Sequence, residues 1–472
     1  MSRASPGHLY ARLAYAARRR GSARSVYGPE NTLSRRGLLT RADRRARELA
    51  GLGLQPGDPV ALSLGNTAEL LVLLLACSKL GAVAVPLDPA RGERLVRHTA
   101  GRLPLRAVVR RPRGHEAVAP DYGDGYRFAS RRRLPGSLLM LDVLHPPAPV
   151  AARWPDQPDA ELVVAARGID GTARDIVRTA EHLQAVGEAA AHALCLRAGA
   201  RLVCAQPLVV PCFFDVVLLG WLASEAQLVM TEGSAVDAVL PLSSRHEDLV
   251  VVDTAHELLC LARTLTATGT TRRLQPVVPQ AFVPDHIVKI LGQSIQRPPR
   301  QLLRLEELGL LAHRVLERGA TFEPAAGVRL RSGAAMQTGG HEVLIDTTQA
   351  APGLPPIPAT EPGSVADPPW RHCGYAGRFS RDGRLSEILG RDDGLLHIEG
   401  RRACLDHVEE VLLSHRRLTW VQALPQTDPD GEGWLAVEYR ATGQTPVDDL
   451  EDHAIGQLPP FMVPRRFERQ PG

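Results

Sequence analysis

Residues 53–89 constrain the fold more than any other stretch of the chain. Two short apolar runs, residues 60–64 and 82–85, are bounded by glycine and proline and flank an apolar stretch of helical length, residues 68–80. Continuous apolar runs are typical of parallel strands that are covered on both faces. The stretch therefore predicts a βαβ unit, and with it an α/β protein.

The length of the chain predicts more than one domain. Its 472 residues exceed what a single hydrophobic core usually supports. We expect a large N-terminal domain of layered βαβ subdomains over residues 1–389 and a small α+β domain over residues 390–472. Residues 110–160 are rich in Arg, Pro and Gly and predict a loop or insertion, and the proline-rich residues 350–370 predict a linker.

Composition excludes several classes of protein. No apolar run is long enough to span a membrane and the amino terminus lacks a signal-peptide core, so we expect a cytoplasmic protein. The seven scattered cysteines include no C-x-x-C pair, which predicts neither a disulfide framework nor a zinc site. The arginine runs lack interleaved aromatic residues, so nucleic acid is not an expected partner.

Residues 390–409 read G-R-D-D-G-L-L-H-I-E-G-R-R-A-C-L-D-H-V-E. Two apolar runs around a polar turn predict a hairpin that includes residues 385–398. Asp406 followed three residues later by Glu409 predicts a capping box at the start of a helix. The stretch therefore predicts a small α+β unit.

The same stretch resembles the opening of the C-terminal domain in the adenylate-forming superfamily, which includes acyl-CoA synthetases, luciferases and peptide-synthetase adenylation domains. The family pattern G-R-x-D, a hydrophobic pair, then G-x-R-(V/I)-x-P-x-E-(V/I)-E is matched at seven positions: Gly390, Arg391, Asp393, Gly400, Arg402, Val408 and Glu409. Ala403, Leu405 and His407 depart from it. The resemblance implies a small domain that rotates about a hinge at Asp393.

The resemblance extends to a phosphate-binding loop within residues 167–183. The family's S-G-T-T-G-x-P-K-G-V-x-x-T is matched at Gly168 and Gly171, with Thr172 beside them and Arg174 at the lysine. A strand, a glycine-bearing turn and a helix would point backbone N–H groups at a phosphate. Asp170 and Asp175, both departures from the family, would repel one. An ordinary strand–turn–helix connection is the alternative interpretation.

Residues 303–309 stand where the family places Y-G-x-T-E. The resemblance implies that Glu307 binds Mg²⁺ and acts in catalysis, while Leu303 and Arg304 stand where the family has the adenine-stacking tyrosine and its following glycine. Glu306 stands where the family has a phosphate-contacting threonine. A surface helix that carries both glutamates is the alternative.

Three further residues complete the candidate site. The pair Phe214-Asp215 resembles the pair that holds a substrate amine in amino-acid adenylation domains, and a helix N-cap is the other interpretation of Asp215. Tyr375 replaces the carboxylate that the family uses on the ribose, and a single phenol cannot chelate a diol in that way. Arg391 stands at the arginine of the family pattern, and the resemblance implies that it acts in catalysis and in nucleotide binding.

The resemblance implies an acid–thiol ligase that uses ATP and Mg²⁺ to convert a small carboxylic or amino acid into an acyl adenylate. CoA or the phosphopantetheine of a carrier protein would then accept the acyl group. The family's terminal G-K segment is expected to be missing, since no lysine follows Lys289. Two hypotheses follow: a ligase with impaired adenylation, or a catalytically inactive pseudoenzyme that binds small molecules or serves as a scaffold.

Overall fold

The computed structural model describes most of the chain. The described residues are 8–21, 23–112, 122–123, 125–151, 159–167, 173–242, 248–269, 274–281, 283, 285–295, 297–336, 340–350, 370–391, 395–398, 401–427, 433–458 and 462–470. The predicted linker at residues 350–370 falls almost wholly outside these ranges.

Strands make up a large part of the described chain. They are β1 Arg24–Tyr27, β2 Thr32–Ser34, β3 Pro59–Ser63, β4 Val83–Leu87, β5 Ala107–Arg110, β6 Arg127–Arg133, β7 Met140–His145, β8 Ala160–Arg167, β9 Ala173–Thr179, β10 Arg201–Cys204, β11 Gln227–Met230, β12 Leu249–Val252, β13 Leu274–Val278, β14 Arg300–Leu305, β15 Gly309–Val315, β16 Glu323–Pro324, β17 Val328–Ala335, β18 His341–Thr347, β19 Arg371–Phe379, β20 Leu385–Arg391, β21 Leu395–Ile398, β22 Arg401–Cys404, β23 Leu418–Thr427, β24 Gly433–Ala441 and β25 Arg466–Arg469.

Helices connect most of these strands. They are α1 His8–Arg20, α2 Arg35–Gly51, α3 Ala68–Leu80, α4 Gly92–Ala100, α5 Ala148–Ala151, α6 Ala180–Ala193, α7 Pro211–Phe213, α8 Gly220–Leu222, α9 Ala235–Val239, α10 Ala255–Ala267, α11 Asp285–Ser294, α12 Leu405–Leu413 and α13 Val447–Gln457. A π-helical segment, Phe214–Leu219, joins α7 to α8, and short 3₁₀ turns occur at Pro89–Arg91 and Leu240–Leu242.

Two large sheets form the N-terminal part. Sheet 1 has nine strands in the order β16-β15-β14-β13-β12-β10-β11-β1-β2, and sheet 2 has seven in the order β6-β7-β5-β3-β4-β8-β9. The predicted βαβ unit is confirmed, because β3 pairs in parallel with β4 and α3 spans the predicted residues. The α/β fold class is therefore confirmed.

The sequence of α3 explains where this helix begins and ends and why most of its residues are buried. The Thr67 side chain accepts a hydrogen bond from the N–H of Leu70, and Gly81 ends the helix in the left-handed conformation. Residues 68 and 70–78 of the helix are buried, which suits an apolar segment with no polar face. Near its end, Lys79 Nζ lies 2.5 Å from Asp43 Oδ1 on α2 and 4.7 Å from the ring centroid of Tyr10 on α1.

Smaller sheets form the rest of the chain. Sheet 3 has the order β17-β18-β19-β20, a separate hairpin joins β21 to β22, and sheet 4 has the order β23-β24-β25. Helices α12 and α13 pack on one another, and their buried side chains share an apolar cluster with those of sheet 4. The carboxyl-terminal part is therefore a small α+β unit, as expected.

Three local predictions are wrong. Residues 110–160 contain the antiparallel pair β6–β7, which extends sheet 2 at its edge. The two apolar runs in residues 385–398 do not pair with each other, since β20 pairs with β19 and β21 pairs with β22. Helix α12 begins at Leu405, so Asp406 lies within its first turn and is not the N-cap, and Glu409 accepts the N–H of Ala423 at 2.9 Å.

None of the helices that the structure describes is both long enough and apolar enough to cross a membrane.

The loop after β3 ties the two large sheets together through one buried side chain. Asn66 Nδ2 donates to the carbonyl oxygens of Gln206 at 2.8 Å and Thr231 at 3.2 Å, which follow β10 and β11 of sheet 1. Asn66 Oδ1 accepts the N–H of Leu208 at 2.8 Å. One amide side chain therefore satisfies three backbone groups in the segments that follow β10 and β11.

We predict that Asn66→Ala lowers the free energy of unfolding by about 2–4 kcal/mol, because it leaves backbone groups buried without partners. Chemical denaturation measures the change. Gln184→Ala, which removes an exposed hydrogen bond to Glu188, is the control and should have little effect. Equal stability of the two variants would contradict this role of Asn66.

Candidate functional site

A buried cluster of charged side chains lies where sheets 1 and 2 meet. The carboxylate of Asp215, in the π-helical segment, pairs with the guanidinium groups of Arg178 on β9 and Arg304 on β14. Arg178 Nη2 lies 3.1 Å from Asp215 Oδ2 and Arg304 Nη2 lies 2.9 Å from the same oxygen. Arg178 also donates to the carbonyl oxygen of Glu306 at 3.0 Å, and Arg304 to Glu306 Oε1 at 2.9 Å.

The cluster is almost closed to solvent. Arg178 is 0% exposed, Asp215 is 2% exposed and Arg304 is 9% exposed. Burial opposes the charge on Arg304, but the nearby carboxylates of Glu306 and Asp215 raise its pKa, so the side chain stays a cation. The two guanidinium charges and the two carboxylate charges balance.

The position of Asp215 in the helical stretch rules out one of its two interpretations. The N-cap of α7 is Val210, and Asp215 lies well inside the continuous helical stretch of residues 211–222, so the N-cap interpretation is wrong. Both carboxylate oxygens of Asp215 already accept from arginines of this chain. The binding of a substrate amine by Asp215 stays a prediction, and such an amine would compete with two guanidinium groups.

His182, the third residue of α6, lies next to this cluster. It is 2% exposed, and neither ring nitrogen has a hydrogen-bond partner among the described residues. Burial, together with the charge of Arg178, lowers its pKa to about 3. His182 is therefore a neutral imidazole in the folded protein.

The predicted phosphate loop connects two strands. Strands β8 and β9 form an antiparallel hairpin with Ala166 opposite Arg174, and α6 begins only at Ala180, after β9. The predicted strand–turn–helix arrangement is therefore wrong, and the N-terminus of α6 is separated from the turn by the length of β9. Gly168, Gly171 and Thr172 fall outside the described residues, and for Arg174 only the backbone is described.

Asp175 has a partner that the sequence did not indicate. Arg102, two residues beyond α4, donates from Nε to Asp175 Oδ2 at 2.9 Å and from Nη2 to Oδ1 at 2.8 Å. The remaining terminal nitrogen, Nη1, lies 2.6 Å from Nε2 of His98. Burial and the charge of Arg102 lower the pKa of His98. The negative charge of Asp175 is therefore balanced within the chain.

Glu307 lies in the tight turn between β14 and β15, so the alternative of a surface helix is wrong. The side chain is buried, with 3% exposure. Leu303, where the family has an aromatic ring, is 0% exposed and belongs to the main apolar core. The described residues contain no group of three or more His, Cys, Asp or Glu side chains placed to hold a metal ion.

Tyr375 and Arg391 lie opposite each other. They are Cα partners across β19 and β20, and Tyr375 is 9% exposed. Asp393 and the side chain of Arg391 fall outside the described residues. The hinge role of Asp393 stays a prediction, and the segment that contains it connects sheet 3 to the hairpin β21–β22.

Sequence reasoning missed Arg102, Arg178 and the pairing of Arg304. In the structure Ile176 and Arg178 are buried and alternate with more exposed residues along β9, but the sequence A-R-D-I-V-R-T shows no such alternation. A strand assignment for residues 173–179 would have put Arg178 on the buried face, where a charge needs a partner. No sequence signal marks Arg102 either, and its contact with Asp175 joins residues far apart in sequence.

Two large sheets followed by a small α+β unit form a fold that is similar to that of known adenylate-forming enzymes. The family model described as AMP-binding enzyme matches residues 13–125. The novobiocin biosynthesis protein H of Streptomyces niveus is 28% identical over 95% of this chain and 77% of that protein. A crystal structure of the anthranilate CoA ligase AuaEII with anthranoyl-AMP superposes with a TM-score of 0.64, at 16% identity, over 98% of this chain and 93% of that one.

Peptide synthetases match a shorter stretch. The phosphinothricin tripeptide synthetase PhsC of Streptomyces viridochromogenes is 40% identical over 81 residues, which make up 17% of this chain and 8% of that protein. The chain therefore spans less than a tenth of the length of this relative. The family match over residues 13–125 and the full-length relative are similarities to adenylate-forming enzymes, and the fold is the one that the neighbouring structures share.

We predict that Asp215→Asn lowers the free energy of unfolding by about 3–5 kcal/mol, because two buried guanidinium groups lose their counter-charge. Chemical denaturation at neutral pH measures it. Glu387→Gln breaks the exposed pair with Arg378 and should cost less than about 1 kcal/mol. A similar small loss in both variants would show that Asp215 does not hold the cluster together.

His182 gives a pH-dependence whose sign follows from its lowered pKa. The stability that comes from keeping it neutral is present above its unfolded pKa of 6.5 and is lost as pH falls toward about 3. Between these two pH values we expect His182 to lower the free energy of unfolding by about 1.4 kcal/mol for each unit by which the pH falls. Denaturation of wild type and His182→Leu at several pH values tests this, and an unchanged slope in the variant would contradict it.

Proposed function

We propose that this protein activates a small carboxylic acid with ATP, forming an acyl adenylate and then transferring the acyl group to a thiol of CoA or of a carrier protein. The similarity to a biosynthetic relative along 95% of the chain is the observation that carries the proposal. The reaction would take place in the cytoplasm, where ATP is available. ATP would supply the adenylyl group and the pyrophosphate leaving group.

The residues of this chain suit such a ligand in part. Asp175, which would repel phosphate, is neutralised by Arg102, and Tyr375 is the Cα partner of Arg391 in the β19–β20 pair. By the resemblance, Tyr375 would meet the ribose with one hydroxyl and Arg391 would meet a phosphate with its cation. Among the described residues, Glu307 belongs to no group of three or more His, Cys, Asp or Glu side chains that could hold Mg²⁺.

The buried cluster of Asp215, Arg178 and Arg304 limits which substrates the protein would bind. By the resemblance, Asp215 stands where amino-acid-activating domains hold an ammonium, but Arg178 donates to both of its oxygens and Arg304 donates to Oδ2. An ammonium that entered would meet two cations in a nearly closed site, where charge repulsion is strong. We propose that the substrate is an acid without an α-ammonium group.

A catalytically inactive pseudoenzyme is the second candidate, and one observation favours it. Leu303 is wholly buried in the apolar core, so the strand does not offer a ring for adenine at that position. Loss of one transition-state contact typically costs a factor of about 10² to 10³ in rate. Several such losses would leave a small-molecule-binding or scaffold protein.

Acid-dependent exchange of labelled pyrophosphate into ATP separates the two candidates. We expect exchange with aryl or aliphatic acids and at most background exchange with the corresponding α-amino acids. No exchange with any acid, together with no binding of ATP by calorimetry, would support the pseudoenzyme. Faster exchange with amino acids than with simple acids would contradict the assignment of Asp215.

The placement of the nucleotide has its own test. We predict that Arg174→Ala weakens ATP binding by roughly tenfold, the usual scale for a charge-assisted contact of about 1.5 kcal/mol or more. Arg197→Ala, an exposed arginine remote in sequence from the hairpin, is the control. Equal affinities for the two variants would refute the position assigned to the loop.

A further inference from the structure

We propose that the free edge of sheet 2, together with the cleft at the end of its outermost strand, is a docking surface for an extended acidic segment of a partner protein. Strand β6 is the last strand at this edge, and among the described strands it pairs with β7 alone. The inference does not depend on the proposed function, because none of the residues of this surface belongs to the candidate site.

The open side of β6 can accept another strand. An edge strand presents backbone N–H and C=O groups that no neighbouring strand pairs, and extended peptides bind to such edges by continuing the sheet. The register between β6 and β7 shifts once, between Phe128 and Ser130, and residues 130–133 then pair regularly. We therefore expect an added strand to pair with residues 130–133.

The charge of β6 determines what kind of segment it attracts. The strand carries four arginines and no carboxylate. Asp142 balances one of them, since Arg131 Nε lies 2.6 Å from its Oδ1 and Arg131 Nη2 lies 3.0 Å from its Oδ2. Arg132 and Arg133 are exposed, and neither pairs with a carboxylate in the part of the chain that the structure describes. The edge therefore attracts negative charge.

The two exposed arginines lie on opposite faces of the sheet. Arg132 and Arg133 are consecutive, and successive side chains of a strand point to opposite faces. An added strand alternates in the same way, so acidic residues at two consecutive positions would lie beside one arginine each. Opposite charges on neighbouring strands stabilise the pairing of those strands. The expected partner segment therefore contains consecutive acidic residues.

A cleft of about 600 Å³ lies at the end of β6, and Arg133 and the turn that follows the strand line it. In this turn Leu134 and Leu139 are almost fully buried, whereas Leu138 is 68% exposed. Near the other end of the strand, Phe128 is 43% exposed. Exposed apolar surface thus lies at both ends of the arginine-rich strand. We therefore expect the acidic segment to carry apolar residues on either side of its carboxylates.

A second copy of this chain is an alternative occupant of the edge, but charge opposes it. Two copies related by a twofold axis would pair β6 with β6, because such an interface uses the same patch on both subunits. The arginines of one copy would then lie beside those of the other, and like charges weaken strand pairing. The arginines therefore discriminate against a second copy and favour an acidic partner.

Binding of a synthetic acidic peptide to the full chain tests the proposal. The peptide L-E-E-T-V-E-E-L has paired glutamates for the two faces and a leucine at each end, so either strand direction places one leucine near the cleft. A matched peptide that is N-methylated at its glutamates keeps every charge but loses main-chain donors. Fluorescence anisotropy measures both affinities. We expect the N-methylated peptide to bind roughly tenfold more weakly or worse, because strand addition depends on main-chain hydrogen bonds.

Reversing one charge at a time locates the binding surface. Arg132→Glu and Arg133→Glu should each weaken binding of the acidic peptide roughly fivefold or more, because attraction across the strand pair becomes repulsion. Arg197→Glu, at an exposed position outside sheet 2, changes the net charge equally and should alter the affinity by less than about twofold in physiological salt. All three variants should unfold at temperatures close to wild type, since the substituted side chains are exposed.

Several results would overturn the proposal. Equal affinity for the two peptides would mean that charge alone attracts them. An equal loss in Arg197→Glu, or no binding of the acidic peptide at low ionic strength, would also show that the edge is not a docking surface for such a segment. Tighter binding of single-stranded RNA would assign the surface to nucleic acid. A dimer in sedimentation that Arg132→Glu dissociates would assign the surface to a second copy.

Discussion

One buried carboxylate sets the relative positions of three parts of this molecule. Asp215, on the helical segment between the sheets, binds Arg178 from sheet 2 and Arg304 from sheet 1. Removing such ions from water is costly, and attraction between them offsets that cost only when the geometry is good. The arrangement therefore favours one packing of the two sheets over alternatives that would leave a charge unpaired.

This constraint also bears on what the protein can recognise. In the sequence, Asp215 looks like a residue for a ligand, but in the structure its partners come from the chain itself. Function depends on the contacts of a site and not on the fold that carries it. A role in substrate binding should therefore be assigned to Asp215 only if its contacts in this chain leave it able to bind a ligand.

Much of the fold was predictable, for reasons that differ from element to element. Helix α3 and strands β3 and β4 are apolar on all sides and have glycine or a capping residue at their ends. Their continuous apolar runs and these terminal residues predicted them. Strand β6 was missed because it is an exposed edge strand rich in arginine and shows no apolar alternation. The false hairpin in residues 385–398 arose because turn chemistry cannot tell which sheet a strand will join.

The candidate site was less predictable because its charges are balanced over long distances in sequence. Arg102 reaches Asp175 across 73 residues, and Arg304 reaches Asp215 across 89. Local patterns carry no information about such pairs. The sequence therefore overstated the repulsion at Asp175 and could not show that Asp215 is occupied.

The unusual preference for arginine has a practical consequence. The chain has only two lysines, and Lys79 is held by Asp43 and the ring of Tyr10, whereas Lys289 on α11 is exposed. An amine-reactive fluorophore should therefore attach at Lys289 in preference to Lys79. The protein thus offers a natural attachment point for distance measurements by energy transfer, without engineered cysteines.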